Sequence, residues 1–411
     1  MLYNKRMDKR FILHCDLNGF FASVECVLKP ELKNVPMAVG GDEERRHGII
    51  LAKNELAKKY GVKTAETLAS ARKKCPNIVI VPPHHSLYQK YSKTVNLIYL
   101  RYTDLVEPFG IDESWLDITG SMHLFGEKDY KTAEKIADEI RNTVKKETGL
   151  TLSVGVSFNK VFAKLGSDYK KPDATTVITE DNFKNIVHPL GVETLLMAGR
   201  SASEKLNSLR IKTIGELAKY DPVLLEKKLG VLGTALYRYA NGLDDDPVSS
   251  FYSKREVKSV GRGMTFTHDL GNISDVEAGI SALSNEVCTR LRKMNLKART
   301  VQLSVKDVNL KTVQRRAPLE FPSNSTKKIY ECAVGIYKKN WNMRNPVRAM
   351  TVTALNLQDS SQDCPQLSFF DVECDDSKDE KLDSALDKIN EKYGKNAIKP
   401  ASFIKNDIGI E

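Results

Sequence analysis

Two acidic residues stand side by side in a stretch that otherwise predicts a buried β-hairpin. In VEPFGIDESWLDITG, residues 106–120, Asp112 and Glu113 follow a glycine and lie between apolar runs. Burying two like charges is costly unless nearby cations compensate for them. A divalent metal ion is the simplest compensation, although exposed surface charge is the better explanation if the pair is taken alone.

A third carboxylate stands near the start of the chain. Asp16 lies close to the end of the predicted strand RFILHCDL, residues 10–17, and meets Asp112 and Glu113 if strand and hairpin share a sheet. Three carboxylates supply the hard oxygen ligands that Mg²⁺ prefers. Two such ions, about 3.5–4 Å apart, stabilise the attacking and leaving oxygens of a phosphoryl displacement. The spacing therefore favours metal-assisted chemistry on a phosphate.

The elements that must position these carboxylates alternate between short strands and helices. Besides the strand at 10–17 and the hairpin, apolar periodicity predicts helices near 20–28, 87–102 and 130–147 and strands at 35–39, 48–52, 77–82 and 150–157. This order predicts an α+β domain with helices on one face of its sheet.

The middle of the chain predicts short helices and then a linker. Between 186 and 243, two glycine-bearing turns, MAGRSASEKL and LGVLGTALYRY, each open a helix. Unpaired backbone N–H groups at such turns can hold a phosphate, as in helix-hairpin-helix DNA clamps, although ordinary helical connections explain either turn nearly as well. NGLDDDPVSS then predicts a linker, because it cannot continue a helix.

Residues 253–358 predict a separate β-α-β-β-α-β domain that carries the positive charge of the chain. This segment has 19 Lys and Arg against 8 Asp and Glu, whereas residues 359–411 have 7 against 13. A concentrated positive field is typical of a surface that binds a polyanion such as nucleic acid, and solvated surface charge is the alternative. In the acidic tail only residues 380–394 predict a helix, to which we assign no function.

Composition restricts the class of protein. The chain has 411 residues, 41% of them apolar, and seven scattered cysteines. This pattern indicates neither a disulfide framework nor a zinc site. No signal-like start and no apolar run of ~20 residues are present, so we expect a cytoplasmic protein of several domains.

Four segments, in order along the chain, resemble the Y-family DNA polymerases of the bacterial DinB and UmuC kind. They are HCDLNGFFASVE, FGIDESWLDITG, SVGVSFNKVFAKLGSDYKKPD and KSVGRGMTFTHDL, and the resemblance extends over residues 10–358. Four colinear motifs of this length are specific. The resemblance implies a template-directed polymerase that adds deoxynucleotides to a primer 3′ end and bypasses lesions with low fidelity; it leaves the DinB-like and UmuC-like branches open.

The resemblance also implies a fold, that of a multidomain right-hand polymerase. It has a palm with a mixed or antiparallel sheet, small fingers, a helical thumb with helix-hairpin-helix turns and a βαββαβ little finger. The expected bounds are palm 1–27 and 84–177, fingers 28–83, thumb 178–243, linker 244–252, little finger 253–358, and a flexible acidic tail 359–411.

Site residues follow position by position from the same motifs. The resemblance implies that Asp16, Asp112, Glu113 and the backbone carbonyl of Leu17 bind two Mg²⁺ ions. Phe21 matches the aromatic steric gate that excludes a ribose 2′-hydroxyl, although it also shares an apolar stripe typical of core packing. We expect Phe20, Lys58 and Lys171 to contribute to the nucleotide site, and Lys170 is an alternative to Lys171.

The fingers motif departs from the family pattern. Many members have NYxARKFGV where this chain has NELAKKYGV, so Glu55 replaces a Tyr and Lys58 replaces an Arg. Lysine keeps the positive charge but lacks the planar fork of Arg. Glu55 either turns away from the triphosphate or leaves its binding to Lys58, Lys171 and the metals. Asn18 stands where many members have a second acidic residue.

Two further groups of residues are expected to contact partners. A grip on primer-template DNA is expected from Arg290, Arg292, Lys297, Arg299, Arg315 and Arg316, each of which is equally well explained as a solvated charge. The pentapeptide QLSFF in the tail resembles the bacterial sliding-clamp-binding motif, and its residues are Gln366, Leu367, Ser368, Phe369 and Phe370. We expect the protein to be a monomer apart from these partners.

Two other functions remain open on the sequence. One is a non-catalytic, clamp-tethered DNA-binding accessory protein, in which Glu55 reflects a decayed nucleotide site. The other is a different palm-type metal enzyme such as a nucleotide cyclase, because fold alone does not fix a reaction. The complete carboxylate triad disfavours the first, and the basic domain disfavours the second.

Overall fold

The computed structural model describes residues 9–42, 46, 48–253, 256–341, 345–362, 376–394, 397–398 and 407–409. The chain divides into two compact units, one of residues 1–41 and 49–254 and the other of residues 42–48 and 255–411. In the described parts of the chain, every helix is too short or too polar to cross a membrane.

The first unit contains two sheets and eleven α-helices among its described residues. Its strands are β1 (Ile12–Leu17), β2 (Met37–Gly40), β3 (Ile50–Lys53), β4 (Val79–Val81), β5 (Val106–Pro108), β6 (Glu113–Asp117), β7 (Leu152–Ser157) and β8 (Thr175–Val177). Its helices are α1 (Phe20–Leu28), α2 (Glu55–Lys59), α3 (Leu68–Lys74), α4 (His85–Tyr99), α5 (Tyr130–Thr148), α6 (Lys160–Tyr169), α7 (Phe183–Ile186), α8 (Arg200–Ser208), α9 (Ile214–Ala218), α10 (Pro222–Leu229) and α11 (Val231–Ala240).

The larger sheet is mixed and has the strand order β5-β6-β1-β7-β8. Only β7 and β8 are parallel; the other neighbours are antiparallel. Helices α4 and α5 cover one face, where Leu13, Cys15 and Leu17 of β1 join the largest core cluster. The mixed sheet confirms the predicted α+β class.

The prediction of helices on one face only is wrong, because α6 packs against the other face of the same sheet. All six residues of β7 are buried, including Ser153 and Ser157 on the α6 side. Gly155 admits the helix: a Cβ at this position would overlap the carbonyl oxygen of Ala163 in α6. Strict alternation in β7 therefore reflects small and large residues on two buried faces.

The smaller sheet has the order β3-β2-β4 and its own core, in which Ile50 of β3 packs with Leu68 and Ala71 of α3. Helices α7–α11 form a third cluster with part of α6, built around Leu206, Leu225 and Leu236. Gly199 and Gly230 precede α8 and α11, so both predicted glycine turns do open helices.

The second unit has the predicted β-α-β-β-α-β order. Its elements are β9 (Ser259–Leu270), α12 (Ile273–Lys293), β10 (Leu296–Asp307), β11 (Thr312–Ser323), α13 (Thr326–Asn340) and β12 (Val347–Asp359), followed by α14 (Asp376–Tyr393). The antiparallel sheet has the order β11-β10-β12-β9. Helices α12 and α13 cover one face through Val301, Leu303 and Val352, whereas Gln302 and Thr353 on the other face are partly exposed.

Candidate active site

The hairpin of β5 and β6 turns tightly just before the acidic pair. The backbone N–H groups of Phe109 and Gly110 both donate to the carbonyl of Glu113, at 2.9 and 3.2 Å. A Cβ on Gly110 would lie 3.1 Å from Cγ of Glu113 and 3.3 Å from Oδ1 of Asp112. The glycine therefore leaves room for both acidic side chains to fold over the turn.

Strand β1 brings the third carboxylate to the hairpin. Asp16 is the cross-strand partner of Glu113 in the β1–β6 ladder, and the N–H of Leu17 donates to the carbonyl of Asp112 at 3.0 Å. Directly opposed residues on antiparallel strands have neighbouring side chains on the same face. The structure therefore brings Asp16, Asp112 and Glu113 together, with Leu17 beside them at the end of β1.

Two lysines on the α6 side face these carboxylates. Lys164 of α6 lies 2.5 Å from Oε2 of Glu113, and Lys171, just after α6, lies 2.8 Å from Oδ2 of Asp16. The Asn159 side chain caps α6 by accepting the N–H of Phe162 at 2.7 Å, which fixes the start of the helix that carries Lys164. Of the two candidate lysines in the DYKKPD motif, Lys171 is the one at Asp16.

A buried histidine lies against the Glu113 carboxylate. His14 of β1 is fully buried, with Nε2 3.3 Å from Oε2 of Glu113 and Nδ1 2.8 Å from the hydroxyl of Ser167 in α6. Its ring also packs edge-on against Trp115. Burial lowers the pKa of His14, so the neutral ring is favoured.

The two adjacent acids of the hairpin titrate in opposite directions. Burial, with the nearby charges of Asp16 and Glu113, raises the pKa of Asp112 to about 6. Burial alone would also raise the pKa of Glu113, but the neighbouring His14 and Lys164 outweigh it and lower that pKa to about 2. Among the described residues, Asp112 is therefore the acid of the pair that forms no ion pair of its own, and Lys171 compensates its charge only in part.

The donor set suits a divalent cation, although the side chains are not arranged around one. As they stand, the described His, Cys, Asp and Glu side chains include no group of three or more placed to hold a metal ion. Asp16 and Glu113 instead pair with Lys171 and Lys164. The three carboxylates and the raised pKa of Asp112 fit a site completed by added positive charge.

The aromatic pair at the start of α1 divides into a core residue and a surface residue. Phe20 is 3% exposed and lies in the main core, so its side chain is not available to a ligand. Phe21 is partly exposed and stacks on Tyr88 with ring centroids 4.1 Å apart. The Tyr88 hydroxyl donates to buried Glu25 at 2.5 Å, which anchors the ring under Phe21.

The departing residues of the fingers motif lie at the start and in the last turn of α2. Lys58 is 3.4 Å from Glu55, and both side chains are more than half exposed. An exposed pair of this kind is weak and easily exchanged. Lys58 thus remains accessible to an anion.

The basic residues predicted to grip DNA fall into two groups. Arg290, Arg299, Arg315 and Arg316 are exposed or partly exposed on the second unit. Arg292 and Lys297 instead bind the acidic helix α14: Arg292 is 2.6 Å from Asp387 and 3.1 Å from Asp383, and Lys297 is 3.2 Å from Glu380. The residues of the proposed clamp motif, 366–370, lie outside the described residues.

Sequence reasoning missed His14, Lys164, Tyr88 and the docking of α14. Lys160 and Lys164 stand four residues apart on α6, and this spacing indicates a shared helix face toward the hairpin. His14 had no comparable signal, because a lone His in an apolar strand is typical of a satisfied core residue.

Comparison with known proteins agrees with this geometry. Residues 15–168 match the impB/mucB/samB family, and residues 257–369 match the C-terminal domain of the same family. The chain is 48% identical over 398 residues to DNA polymerase IV of Acetivibrio thermocellus, covering 97% of this chain and 98% of the relative. It is 39% identical over 402 residues to DNA polymerase IV of Clostridium kluyveri, covering 96% and 98%.

A solved structure shares the fold. A Y-family DNA polymerase chimera superposes with a TM-score of 0.75 at 22% identity, covering 85% of this chain and 99% of the chimera. The family matches over both units and the curated relatives place the chain in the impB/mucB/samB family, as a DinB/UmuC-like Y-family DNA polymerase.

Proposed function

We propose that this polymerase performs template-directed nucleotidyl transfer at the Asp16–Asp112–Glu113 site and serves in low-fidelity lesion bypass. The primer 3′-hydroxyl oxygen bonds to the α-phosphorus of a deoxynucleoside triphosphate, the bond to the pyrophosphate oxygen breaks, and the hydroxyl proton is lost to solvent. The observation that carries the proposal is the register of β1 and β6, which opposes Asp16 and Glu113 beside Asp112.

We propose that the three carboxylates and the Leu17 carbonyl hold two Mg²⁺ ions. Bound there, such ions lower the pKa of the attacking hydroxyl and neutralise charge on the triphosphate. The protein contributes the fixed acids: the hairpin holds Asp112 and Glu113, and the ladder holds Asp16. Asp112, with its pKa of about 6, gains most from added positive charge.

Nucleotide contacts are proposed on both sides of these acids. Lys171 and Lys58 supply positive charge to the triphosphate, and the Phe20 backbone lies beside it. Phe21, held by its stack on Tyr88, excludes a ribose 2′-hydroxyl. A Phe21→Ala variant that still rejected ribonucleotides would contradict this role.

The proposed domain roles follow the fold. The five-stranded sheet is the palm, the smaller sheet with α2 and α3 the fingers, α7–α11 the thumb and the β9–β12 domain the little finger. The sheet face opposite α12 and α13 carries polar Gln302 and Thr353 and the exposed Arg316, which suits DNA phosphates and groove edges.

The segment 366–370 is proposed to bind the bacterial sliding clamp, with this chain as a monomer. Gln366 sets the register and the Phe369 and Phe370 rings fill an apolar pocket, which raises the effective concentration of polymerase at a primer end. Replacing these three residues with Ala should abolish clamp-stimulated synthesis and leave unstimulated synthesis intact. Unchanged stimulation would reject the proposal.

Primer extension during a Mg²⁺ titration tests the central proposal. We expect Asp112→Ala and Glu113→Ala to abolish extension at every Mg²⁺ concentration. Glu134→Gln, an acid-to-amide change on the exposed side of α5, is the control and should behave like the parent. Both triad variants should still bind primer-template. Extension that survives in either triad variant would reject this site as the catalytic centre. Absence of extension by the parent itself would favour the non-catalytic accessory-protein alternative.

A further inference from the structure

The lysine at Asp16 lies on a segment without regular backbone structure. Residues 170–174 join the end of α6 to the start of β8, and Asp173 among them has a left-handed φ of 51°. Lys171 reaches Asp16 and Asp168 at 2.8 Å each, with its side chain 29% exposed. Neither a helix nor a strand fixes this side chain, so other contacts must hold the segment.

The Asn18 side chain provides one such contact. Its Oδ1 accepts the backbone N–H of Asp173 at 2.9 Å, and its Nδ2 donates to the hydroxyl of Ser153 at 3.0 Å. Its own backbone N–H donates to the carbonyl of Thr151 at 2.9 Å. Asn18 therefore bridges the end of β1, the start of β7 and the segment that carries Lys171.

Helix α5 holds the same segment from the other side. The Asp173 carboxylate lies 2.8 Å from Arg141 and 3.0 Å from Lys145, and Arg141 also donates to the Asp173 carbonyl. Asp173 thus donates its backbone N–H to Asn18, and its carboxylate forms ion pairs with α5. With both tethers in place, the backbone beside Lys171 has little freedom to move.

An amide at position 18 performs two tasks that a carboxylate does not combine. It accepts from Asp173 and donates to Ser153 at once, whereas a carboxylate only accepts. A carboxylate would also add negative charge two residues from Asp16, where it would compete for Lys171. The departure of Asn18 from the acidic residue of many family members is therefore suited to leaving Lys171 available beside Asp16.

We propose that Asn18 is a positioning residue that sets Lys171 for contact with the triphosphate of the incoming nucleotide. The inference rests on the proposed role of Lys171 in nucleotide binding. Asn18 itself touches neither the reacting atoms nor the carboxylates. Its loss should weaken nucleotide binding and leave the chemical step and the Mg²⁺ requirement largely unchanged.

A double-mutant cycle with steady-state kinetics tests this inference. Asn18→Ala should raise the KM for deoxynucleotide about tenfold, as the loss of two hydrogen bonds implies, with kcat within about twofold of the parent. Asn142→Ala, on the exposed side of α5, is the matched control and should change neither value. Lys171→Ala should raise KM at least as much, and Asn18→Ala should add nothing further in the Lys171→Ala background.

Each other outcome identifies which proposal fails. An equal increase in KM with and without Lys171 would show that Asn18 does not act through it. If KM rises in Lys171→Ala but not in Asn18→Ala, the positioning role of Asn18 is rejected and the nucleotide role of Lys171 is retained. If KM does not rise in Lys171→Ala, the proposed nucleotide-binding role of Lys171 is rejected, and the inference about Asn18 is rejected with it. If the Ala variant does not fold, Asn18→Asp replaces it: this variant keeps the acceptor for Asp173 but loses the donor to Ser153 and competes for Lys171, so it should also raise KM, and should not do so in the Lys171→Ala background.

Discussion

Two clusters of partly buried acids, one in each unit, differ in how their charge is balanced. On the second unit, Asp383 and Asp387 of α14 surround Arg292, whose side chain is 11% exposed. Asp383 also accepts the N–H of Thr326, and Asp387 accepts the Thr289 hydroxyl. At the hairpin, Lys164 and Lys171 pair with two acids, and Asp112 keeps a raised pKa of about 6.

The difference separates a structural charge cluster from a functional one. Burial tends to lower the pKa of Arg292, but Asp387 and Asp383 outweigh it and raise that pKa, so the guanidinium is fully matched. Both clusters have one more acid than cation, but at the hairpin the imbalance falls on Asp112, whose pKa is raised, whereas Asp383 and Asp387 share Arg292. A perturbed carboxylate of this kind is typical of a site that binds a charged ligand.

Exchanging one acid in each cluster for its amide should abolish most activity in one case and leave it nearly unchanged in the other. Asp112→Asn should reduce primer extension by at least ~10³-fold, because it removes one of the carboxylates proposed to hold the ions that neutralise charge in the transition state. It should leave the folded state as stable as the parent or more stable, because it removes a like-charge repulsion. Asp383→Asn should leave primer extension within a few-fold of the parent. Single-turnover extension and thermal unfolding of both variants check this, and an active Asp112→Asn enzyme would remove the distinction between the clusters.

The cluster of Arg292 with Asp383 and Asp387 should dominate the stability of the second unit. Arg292→Ala leaves two buried carboxylates without their cation and should lower the free energy of unfolding by about 3 kcal/mol. Lys327→Ala, which breaks the exposed 3.6 Å pair with Asp379, should cost less than about 1 kcal/mol. Urea unfolding of both variants makes the comparison, and equal losses would show that α14 is held by total charge and not by Arg292.

The hairpin cluster, through Asp112, should give the stability of the metal-free enzyme a distinctive pH dependence. The folded pKa of Asp112, about 6, exceeds its ordinary value of 3.8. Its contribution to stability is therefore full below the ordinary value and is lost as the pH rises through the folded value. Thermal unfolding in EDTA should show this decline between about pH 4 and about pH 6, and Asp112→Asn should reduce it. Identical profiles for parent and variant would contradict the assignment.

The smallest expected effect concerns basic residues of the second unit. Arg316 is exposed, whereas Lys297 is paired with Glu380 and 17% exposed. Arg316→Ala should reduce the salt dependence of DNA affinity by about one phosphate contact, and Lys297→Ala should leave it unchanged. Fluorescence anisotropy across a salt series measures both slopes. If Lys297→Ala also reduces the slope of DNA affinity against salt, pairing with α14 does not prevent Lys297 from contacting DNA.

The sequence predicted the elements that local pattern determines. The strand that ends at Leu17, the hairpin with Asp112 and Glu113, and the β-α-β-β-α-β order of the second unit are all present, because apolar periodicity and turn residues act over short distances.

What could not be predicted depends on contacts between distant segments. Acidic residues in α14 are typical of a solvated helix face, and nothing local relates them to Arg292. Small residues in β7 likewise did not reveal that α6 covers them.

The glycine under α6 has a consequence for how this site can vary. Gly155 faces Ala163 and Gly166 at the closest approach between sheet and helix. A single added methyl group there would lift the helix and carry Lys164, and the chain that follows it to Lys171, away from their acids together. A substitution at this one position would therefore shift both lysines at once without replacing any side chain of the site.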